Sequence, residues 1–339
     1  MITHWFRATR RIFLLICVFG LVGCPAEAPE SDWRDSEDIE PRPDVGSEPD
    51  VQEPDYTGPW KSGPGAEDIV GPVITVATFN QHLLFDTRCD SGQCGPNDFE
   101  QKWSQAEFEA LIAQRAAAID QLDADIILLQ EVETQEVLDA LNAALANPYP
   151  IALLAETGYS ASLDAAVLAR GELIESREYT QLNNGWQTFS RNFLRLDLEI
   201  QGERAIVFSA HFKAKFQDQE GRRFAEAQTA HAIVSEVAAA HDGALVILGG
   251  DLNDTPDSEP LVALTEDGKL KLVTEGEDLF DVFTFVYQAR RQAIDHLLIA
   301  RTRGGRYVNQ SVYSIHDEGA HVGFGGSDHN ALVGQFEMR

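Results

Sequence analysis

Ala244-Leu-Val-Ile-Leu-Gly-Gly-Asp-Leu-Asn253 is an apolar run that stops abruptly at a carboxylate. Its aliphatic residues read as a buried strand, which the chain leaves through Asp251-x-Asn253. The same pattern recurs along the sequence. Val73-Ile-Thr-Val-Ala-Thr-Phe79 runs into Asn80, Ile126 to Leu129 into Gln130-Glu131, and Ala205 to Ala210 into His211. Asp295-His296 opens an apolar run ending at Ala300, and Ser327-Asp328-His329-Asn330 precedes another from Ala331 to Phe336. Taken singly, each polar residue has a bland alternative: an Asx turn, a solvated glutamate, or a histidine satisfied by its neighbours. Six such groups in one chain point instead to strand ends that converge on one cleft.

Two more strands are expected at Ala165–Ala169 and Leu194–Ile200. Ser104-Gln-Ala-Glu107 has the spacing of a capping box, and behind it Phe108, Leu111, Ile112, Ile119 and Leu122 share one helical face. Helical stretches near 134–145 and 222–240 separate other strands. Strands alternating with helices, with some strands back to back, predict a layered α/β fold.

The ordered set Thr78-Phe79-Asn80, Leu129-Gln130-Glu131, Ser209-Ala210-His211, Gly250-Asp251-Leu252-Asn253, Ile294-Asp295-His296 and Ser327-Asp328-His329 resembles the endonuclease/exonuclease/phosphatase superfamily. Any one tripeptide is weak; all six in order are specific, and they cover essentially residues 73–339. The resemblance implies a four-layer α/β sandwich, two packed β-sheets flanked by helices, over residues 72–339. It implies one or more divalent cations held by Glu131, with Asn80 and Asp328 nearby. Oxygen donors without thiolates suit Mg²⁺ or Mn²⁺. Asp251 would orient or deprotonate the attacking water, and Asn253 would hold the cluster. His211 and His329 would face the scissile phosphate, with Asp295 fixing the tautomer of His329. Metal and imidazolium together would offset the charge of a phosphodiester under attack.

Other residues leave alternatives open. Gly158-Tyr159-Ser160 begins like the abasic-endonuclease pattern, but the spacing then shifts, so Tyr159 is expected at the surface or in packing rather than on phosphate. Lys213, Lys215, Arg222 and Arg223 could bind one or two phosphates or form a solvated helix face; Arg191 and Arg195 are similarly ambiguous. No basic stripe with interleaved aromatics marks a nucleic-acid groove. Trp186 and Phe189 are expected in the core; an exposed aromatic hairpin would instead favour a lipid substrate.

The 339 residues carry 26 Lys or Arg against 55 Asp or Glu, a formal charge of −29. So acidic a chain is poorly suited to gripping a polyanion through many cationic contacts. The charge is uneven. Arg7, Arg10 and Arg11 precede the eleven-residue apolar run Ile12–Val22, too short to span a bilayer but suited to a secretory signal. Leu21-Val22-Gly23-Cys24 resembles a bacterial lipobox, implying a signal peptide over 1–23 and a diacylated Cys24. An ordinary signal peptide and a short anchor are the alternatives. Residues 24–71 are acidic, rich in proline and nearly free of aliphatics, a composition that reads as a disordered tether. Pro25 after the cysteine favours the outer membrane over inner-membrane retention.

Cys89 and Cys94 then remain, and in an oxidising compartment two close cysteines most simply form a disulfide. Asp86, Asp90 and Asp98 beside them form either a solvated loop or a structural Ca²⁺ site. The chain is therefore expected to be an exported, lipid-anchored, metal-dependent phosphoesterase. Its partners would be the membrane and a nucleic acid, phospholipid head group or small phosphodiester, with no protein partner implied. A nuclease is the leading form; a phospholipase-C-like lipid phosphodiesterase, a phosphomonoesterase and a non-catalytic surface-binding lipoprotein are the alternatives.

Overall fold

The computed structural model describes residues 69–339 apart from 96, 216–219 and 320–322. The signal peptide, Cys24 and the tether up to residue 68 lie outside the described residues. Fifteen strands are described. They are β1 (Val73–Leu84), β2 (Ile126–Val132), β3 (Ile151–Ala155), β4 (Asp164–Ala169), β5 (Glu172–Gln181), β6 (Thr188–Ile200), β7 (Glu203–His211) and β8 (Leu245–Asp251). Then come β9 (Leu270–Leu272), β10 (Phe285–Tyr287), β11 (Arg290–Gln292), β12 (Asp295–Ala300), β13 (Gly305–Tyr307), β14 (Tyr313–Ile315) and β15 (Ala331–Met338). The helices are α1 (Gln105–Leu122), α2 (Gln135–Ala144), α3 (Glu220–Ala240), α4 (Glu259–Thr265) and α5 (Leu279–Val282).

One sheet has the order β13-β15-β1-β2-β4-β3, with β14 also on β15; the other runs β5-β6-β7-β8-β12-β9. Alternation along each strand fixes how they stack. Ile74 and Val76 of β1 and Ile126 and Leu128 of β2 meet Val207 of β7, Leu245 and Ile247 of β8 and Leu297 of β12 in one core between the sheets. The opposite residues, Ala77, Phe79, Ile127 and Leu129, pack on Ile112 and Ile119 of α1 and Leu138 and Leu141 of α2. On the far side, Ile206, Phe208, Val246 and Leu248 cover Ala230 and Val234 of α3 and Leu261 of α4. The result is helix, sheet, sheet, helix: the four-layer α/β sandwich.

The capping box of α1 is formed, with Ser104 and Glu107 bonded reciprocally. Cys89 and Cys94 are joined by a disulfide, their Cα atoms 6.0 Å apart. Around them Asp86 is held by Arg88 at 2.9 Å, and Asp98 accepts the Gly95 amide at 2.6 Å. One expectation is corrected. Phe189 is buried, but Trp186 is 77% exposed, because it sits in the tight turn joining β5 to β6 rather than on a strand face. Leu182 N–H closes that turn on Gln187 O at 2.8 Å.

Gly250 is required where β8 meets β7. Its φ is +145°, and a Cβ there would lie 1.9 Å from the carbonyl oxygen of Ala210. Gly250→Ala is expected to cost about 3 kcal/mol or more, from overpacking and a forbidden φ together. Urea denaturation would check it, and a loss under about 1 kcal/mol would show that the β7–β8 contact yields.

Candidate active site

The inward-facing residues turn polar at one end of the sandwich. On β1 the inward series Ile74, Val76 continues as Thr78 and Asn80. On β7 the series Ala205, Val207 continues as Ser209 and His211, and on β8 Leu245, Ile247 continues to Asp251. Parallel pairing places His211 beside Asp251, and antiparallel pairing places Asp295 of β12 on its other side. Four of the predicted residues therefore reach one place by strand parity alone.

Glu131 reaches it differently. Its φ of +62° interrupts β2 where the β2–β4 register shifts, which returns its side chain toward the gap. Glu131 Oε2 accepts the Leu83 amide at 2.8 Å, and Asn80 Nδ2 donates to Glu131 Oε1 at 3.2 Å and to Asp251 Oδ2 at 3.0 Å. Asp251 Oδ1 takes the Asn253 amide at 2.8 Å, while Asn253 Nδ2 donates to Phe212 O at 3.1 Å. Asn253 thus holds Asp251 through its backbone and the strand end through its side chain.

The two imidazoles flank Asp251. His211 Nε2 is 3.7 Å from Asp251 Oδ2 and 4.0 Å from Glu131 Oε1. His329 Nδ1 is 2.8 Å from Asp295 Oδ2, and its Nε2 faces Asp251 Oδ2 at 4.0 Å and Asp328 Oδ1 at 3.9 Å. Phe285 of β10 lies against the His329 ring, centroids 4.9 Å apart. Asp328, the most exposed of the set, is gripped by His82 Nδ1 at 2.9 Å. The predicted residues Asn80, Glu131, His211, Asp251, Asn253, Asp295, Asp328 and His329 are thereby joined in one chain of contacts.

Burial and charge set different protonation states. Burial opposes a charge on His329, but Asp295, then Asp251 and Asp328, overcome it and raise its pKa to about 10. Burial pushes His211 the other way, well below the ordinary histidine range, helped by Arg191, His329 and Lys213. Asp251 is pushed up to about 7, first by burial and then by Asp295. One protonated imidazole, one neutral imidazole and one carboxyl that titrates near neutrality are what acid–base chemistry requires.

The donor set also suits an oxygen-preferring divalent cation. Glu131 Oε1 and Asp251 Oδ2 both lie within about hydrogen-bond reach of the single Asn80 amide, and no thiolate is near. Asp251, Asp295 and His329 also lie close enough to share an ion, but the Asp295–His329 hydrogen bond already occupies Nδ1.

Two supporting residues escape the strand-end pattern, and a third lies within it. His82 carries a signal, two residues past Asn80 on the same strand. Arg115 of α1 carries none: it is buried, its Nε donates to Gln81 O at 3.0 Å and its Nη1 to Gly325 O. It ties the end of β1 to the loop bearing Asp328 and His329. Ser327 strengthens that tie by donating to Asn80 O at 2.7 Å and accepting the His329 amide at 3.1 Å. Tyr159 is exposed on a turn and Lys215 and Arg223 are bound to Asp254, at 2.8 and 3.1 Å.

Residues 75–296 match a family model described as the endonuclease/exonuclease/phosphatase family. Among solved structures, TDP2 from C. elegans is 18% identical over 80% of this chain and 77% of that one, with a TM-score of 0.59. D. rerio TDP2 complexed with a single-strand DNA product is 15% identical over 78% and 99%, with a TM-score of 0.57. An endonuclease/exonuclease/phosphatase from Bacteroides vulgatus is 17% identical over 79% and 100%, with a TM-score of 0.56. At these identities the likeness shows the fold. No curated protein sequence matches the chain.

The His329–Asp295 contact can be tested without a substrate. Because the pKa is raised, His329 keeps its proton below the ordinary value of 6.5 and up to about 10, and loses it only as pH rises through that point. In Asp295→Asn the titration should fall by about 1–3 units, the usual effect of removing an adjacent opposite charge. NMR titration of the imidazole in metal-free protein reads this directly. An unmoved midpoint would mean that Asp295 does not hold the proton.

Proposed function

We propose a catalytic role from one premise: the chain belongs to the endonuclease/exonuclease/phosphatase family, whose members hydrolyse phosphoester bonds. The reaction is metal-dependent hydrolysis of a phosphodiester, with a nucleic acid as the leading substrate. The observation that carries this reading is the buried carboxyl of Asp251 set between two imidazoles, His211 at 3.7 Å and His329 at 4.0 Å, the first pushed down in pKa by burial and the second raised by Asp295.

Asp251, held by the Asn253 amide, is placed to accept a proton from water as the water attacks phosphorus. Its raised pKa makes it a stronger base than an ordinary aspartate and leaves it ionised above about pH 7. His329, charged and oriented by Asp295, donates to oxygens on which negative charge builds up. His211, neutral and buried, contributes an Nε2 facing the same space. Glu131, with Asn80 and Asp328, would hold Mg²⁺ or Mn²⁺, which supplies positive charge against the anionic phosphodiester.

One observation favours a lipid phosphodiester as the second reading. Trp186 projects from the β5–β6 hairpin into solvent, the kind of exposed aromatic that engages a membrane interface. Attachment to the bacterial envelope through Cys24, with the outer membrane favoured, would keep the chain on a lipid surface.

The chain is to be assayed with Mg²⁺, Mn²⁺ or EDTA on plasmid DNA, a sphingomyelin or phosphatidylcholine dispersion, and a phosphomonoester. The expected result is metal-dependent DNA cleavage that falls about 10²–10⁴-fold in His329→Ala with the melting temperature retained. Turnover of the lipid alone would select the second reading. Tight metal binding without turnover of any of the three would return the protein to a binding role. For localisation, Cys24→Ser expressed with the native leader should move the protein from the membrane to the soluble fraction. Retention in the membrane would exclude lipidation of Cys24 as the anchor.

A further inference from the structure

Asn80, Glu131 and Asp328, the residues assigned to the cation, come from three separate segments, and one short turn touches all of them. At the end of β1 the His82 amide donates to Asn80 Oδ1 at 2.9 Å, and His82 Nδ1 lies 2.9 Å from Asp328 Oδ1. The next amide, of Leu83, donates to Glu131 Oε2 at 2.8 Å. His82 and Leu83 both sit at positive φ, +50° and +52°. Residues with a Cβ hold that conformation only where their surroundings impose it. Two in succession call for a constraint from outside the strand.

That constraint lies in residues 85–104, which lead from β1 to α1 and, where described, form neither strand nor helix. Phe85 N–H bonds back to Leu83 O at 2.8 Å. The buried Phe85 ring packs with Leu83, Leu163 and Trp103 and meets Phe99 edge-on, centroids 5.6 Å apart. Asp86 N–H donates to Glu133 Oε2 at 2.7 Å, two residues past Glu131, and Trp103 N–H returns to Asp86 O at 3.2 Å. Glu100, 2% exposed, accepts the Asp90 and Ser91 amides, one with each oxygen. Both amides lie inside the ring closed by Cys89–Cys94, the one covalent crosslink among the described residues. Packing, a few carboxylate–amide bonds and that crosslink are therefore what order this strap. A crosslink restricts the conformations open to the chain it closes, and segments held by few backbone bonds are the first to open locally.

We propose that the Cys89–Cys94 disulfide is a redox switch for the cation site. As the disulfide, the strap holds the His82–Leu83 turn against all three cation residues; as the dithiol, it releases the turn and the site binds its cation weakly. This rests on the metal-dependent phosphoesterase reading and adds its regulation. The reductant is a dithiol: its two thiols are oxidised to a disulfide, and their two electrons and two protons convert Cys89–Cys94 into two thiols. The cytosol keeps such pairs reduced, and oxidising compartments outside it keep them joined. With the secretory signal expected at residues 1–23, the chain would gain its cation only outside the compartment that holds the cell's own nucleic acid.

The oxidised full chain, and the same protein reduced with dithiothreitol and desalted without oxygen, would be titrated with Mn²⁺ by calorimetry. Mn²⁺ is the probe because Zn²⁺ would bind the freed thiolates. The dithiol form is expected to bind Mn²⁺ about tenfold more weakly or worse, the usual effect of losing the groups that orient metal ligands. Reoxidation with glutathione disulfide should restore the affinity. Cys89→Ser/Cys94→Ser should bind as weakly as the dithiol and no longer respond to reductant, which also accounts for Cys17 and Cys24. Tyr149→Phe is the control for lost stability alone. It removes the Tyr149 hydroxyl's bond to Ala124 O at 2.7 Å, at the other end of β2 from Glu131, and should lower the melting temperature without changing Mn²⁺ affinity. If the serine variant does not fold, the reduced and reoxidised chain decides the matter by itself. A smaller loss of affinity on reduction would overturn the switch. Failure of both redox forms to bind Mn²⁺ would overturn the cation site itself, and the switch with it.

Discussion

The site depends on the space between two face-to-face sheets. Along each central strand every second side chain enters that space, so the same parity that builds the core also selects which polar residues can share it. Ile74, Val76, Thr78 and Asn80 form one inward series on β1, and Leu245, Ile247, Gly249 and Asp251 another on β8. Gly249 contributes no side chain because a Cβ there would lie 2.6 Å from Leu128 Cδ1 and 2.7 Å from Leu297 Cδ2. Where the apolar series ends, the gap is still bounded by both sheets, and the next inward residues are held at low dielectric. A one-residue slip of β7 or β8 would turn His211 or Asp251 outward and Phe208 or Leu248 inward. The register that stabilises the core is therefore also the register that assembles the site.

Low dielectric makes these ionisable groups expensive to bury and strongly coupled. Asp295 answers the problem by pairing with His329, and Thr284 Oγ1 accepts its backbone amide at 3.0 Å. Asp251 lacks an equivalent full ion pair. It receives one amide from Asn253 and one from Asn80, and two imidazoles stand at longer range. Burial and then the neighbouring Asp295 charge raise its pKa, whereas that of His329 rises by attraction to Asp295. The two carboxylates thus differ in their partners: Asp295 faces an imidazole at 2.8 Å and leaves Oδ1 without a hydrogen bond, whereas each Asp251 oxygen accepts one but no cation pairs with it closely.

Much of this was legible in the sequence because it is local. Apolar runs that end in Asn80, Glu131, His211 and Asp251 name both strand and site, and parity needs no tertiary information. What was hidden depends on packing across the chain. β5 is a ten-residue strand almost wholly exposed, with no alternation to detect, and it exists because β6 offers it an edge. Trp186 looks like a core residue by type, yet the β5–β6 turn places it in solvent. Arg115 reads as an ordinary helix-surface cation; only the approach of the 323–329 loop to α1 buries it. There Gly325 and Gly326, at φ +55° and +85°, leave no room for side chains beside Ala118 and Gln114.

The acid surplus and the cations that act on His211, Arg191 and Lys213, work over different distances. The folded region from residue 71 carries a formal charge of about −21, which opposes the approach of a long polyanion. That field is screened beyond about 8–10 Å at ordinary ionic strength. Arg191 and Lys213 act inside that range, in a partly buried setting where screening is weak. Added salt should therefore help a highly charged substrate to arrive and change its local grip far less. For a protein that reads many phosphates along an exposed groove, salt acts in the opposite direction, since counterion release drives its binding. The protein's overall charge thus opposes a long polyanion at a distance, while cations a few ångströms from the site act on whatever anion reaches it.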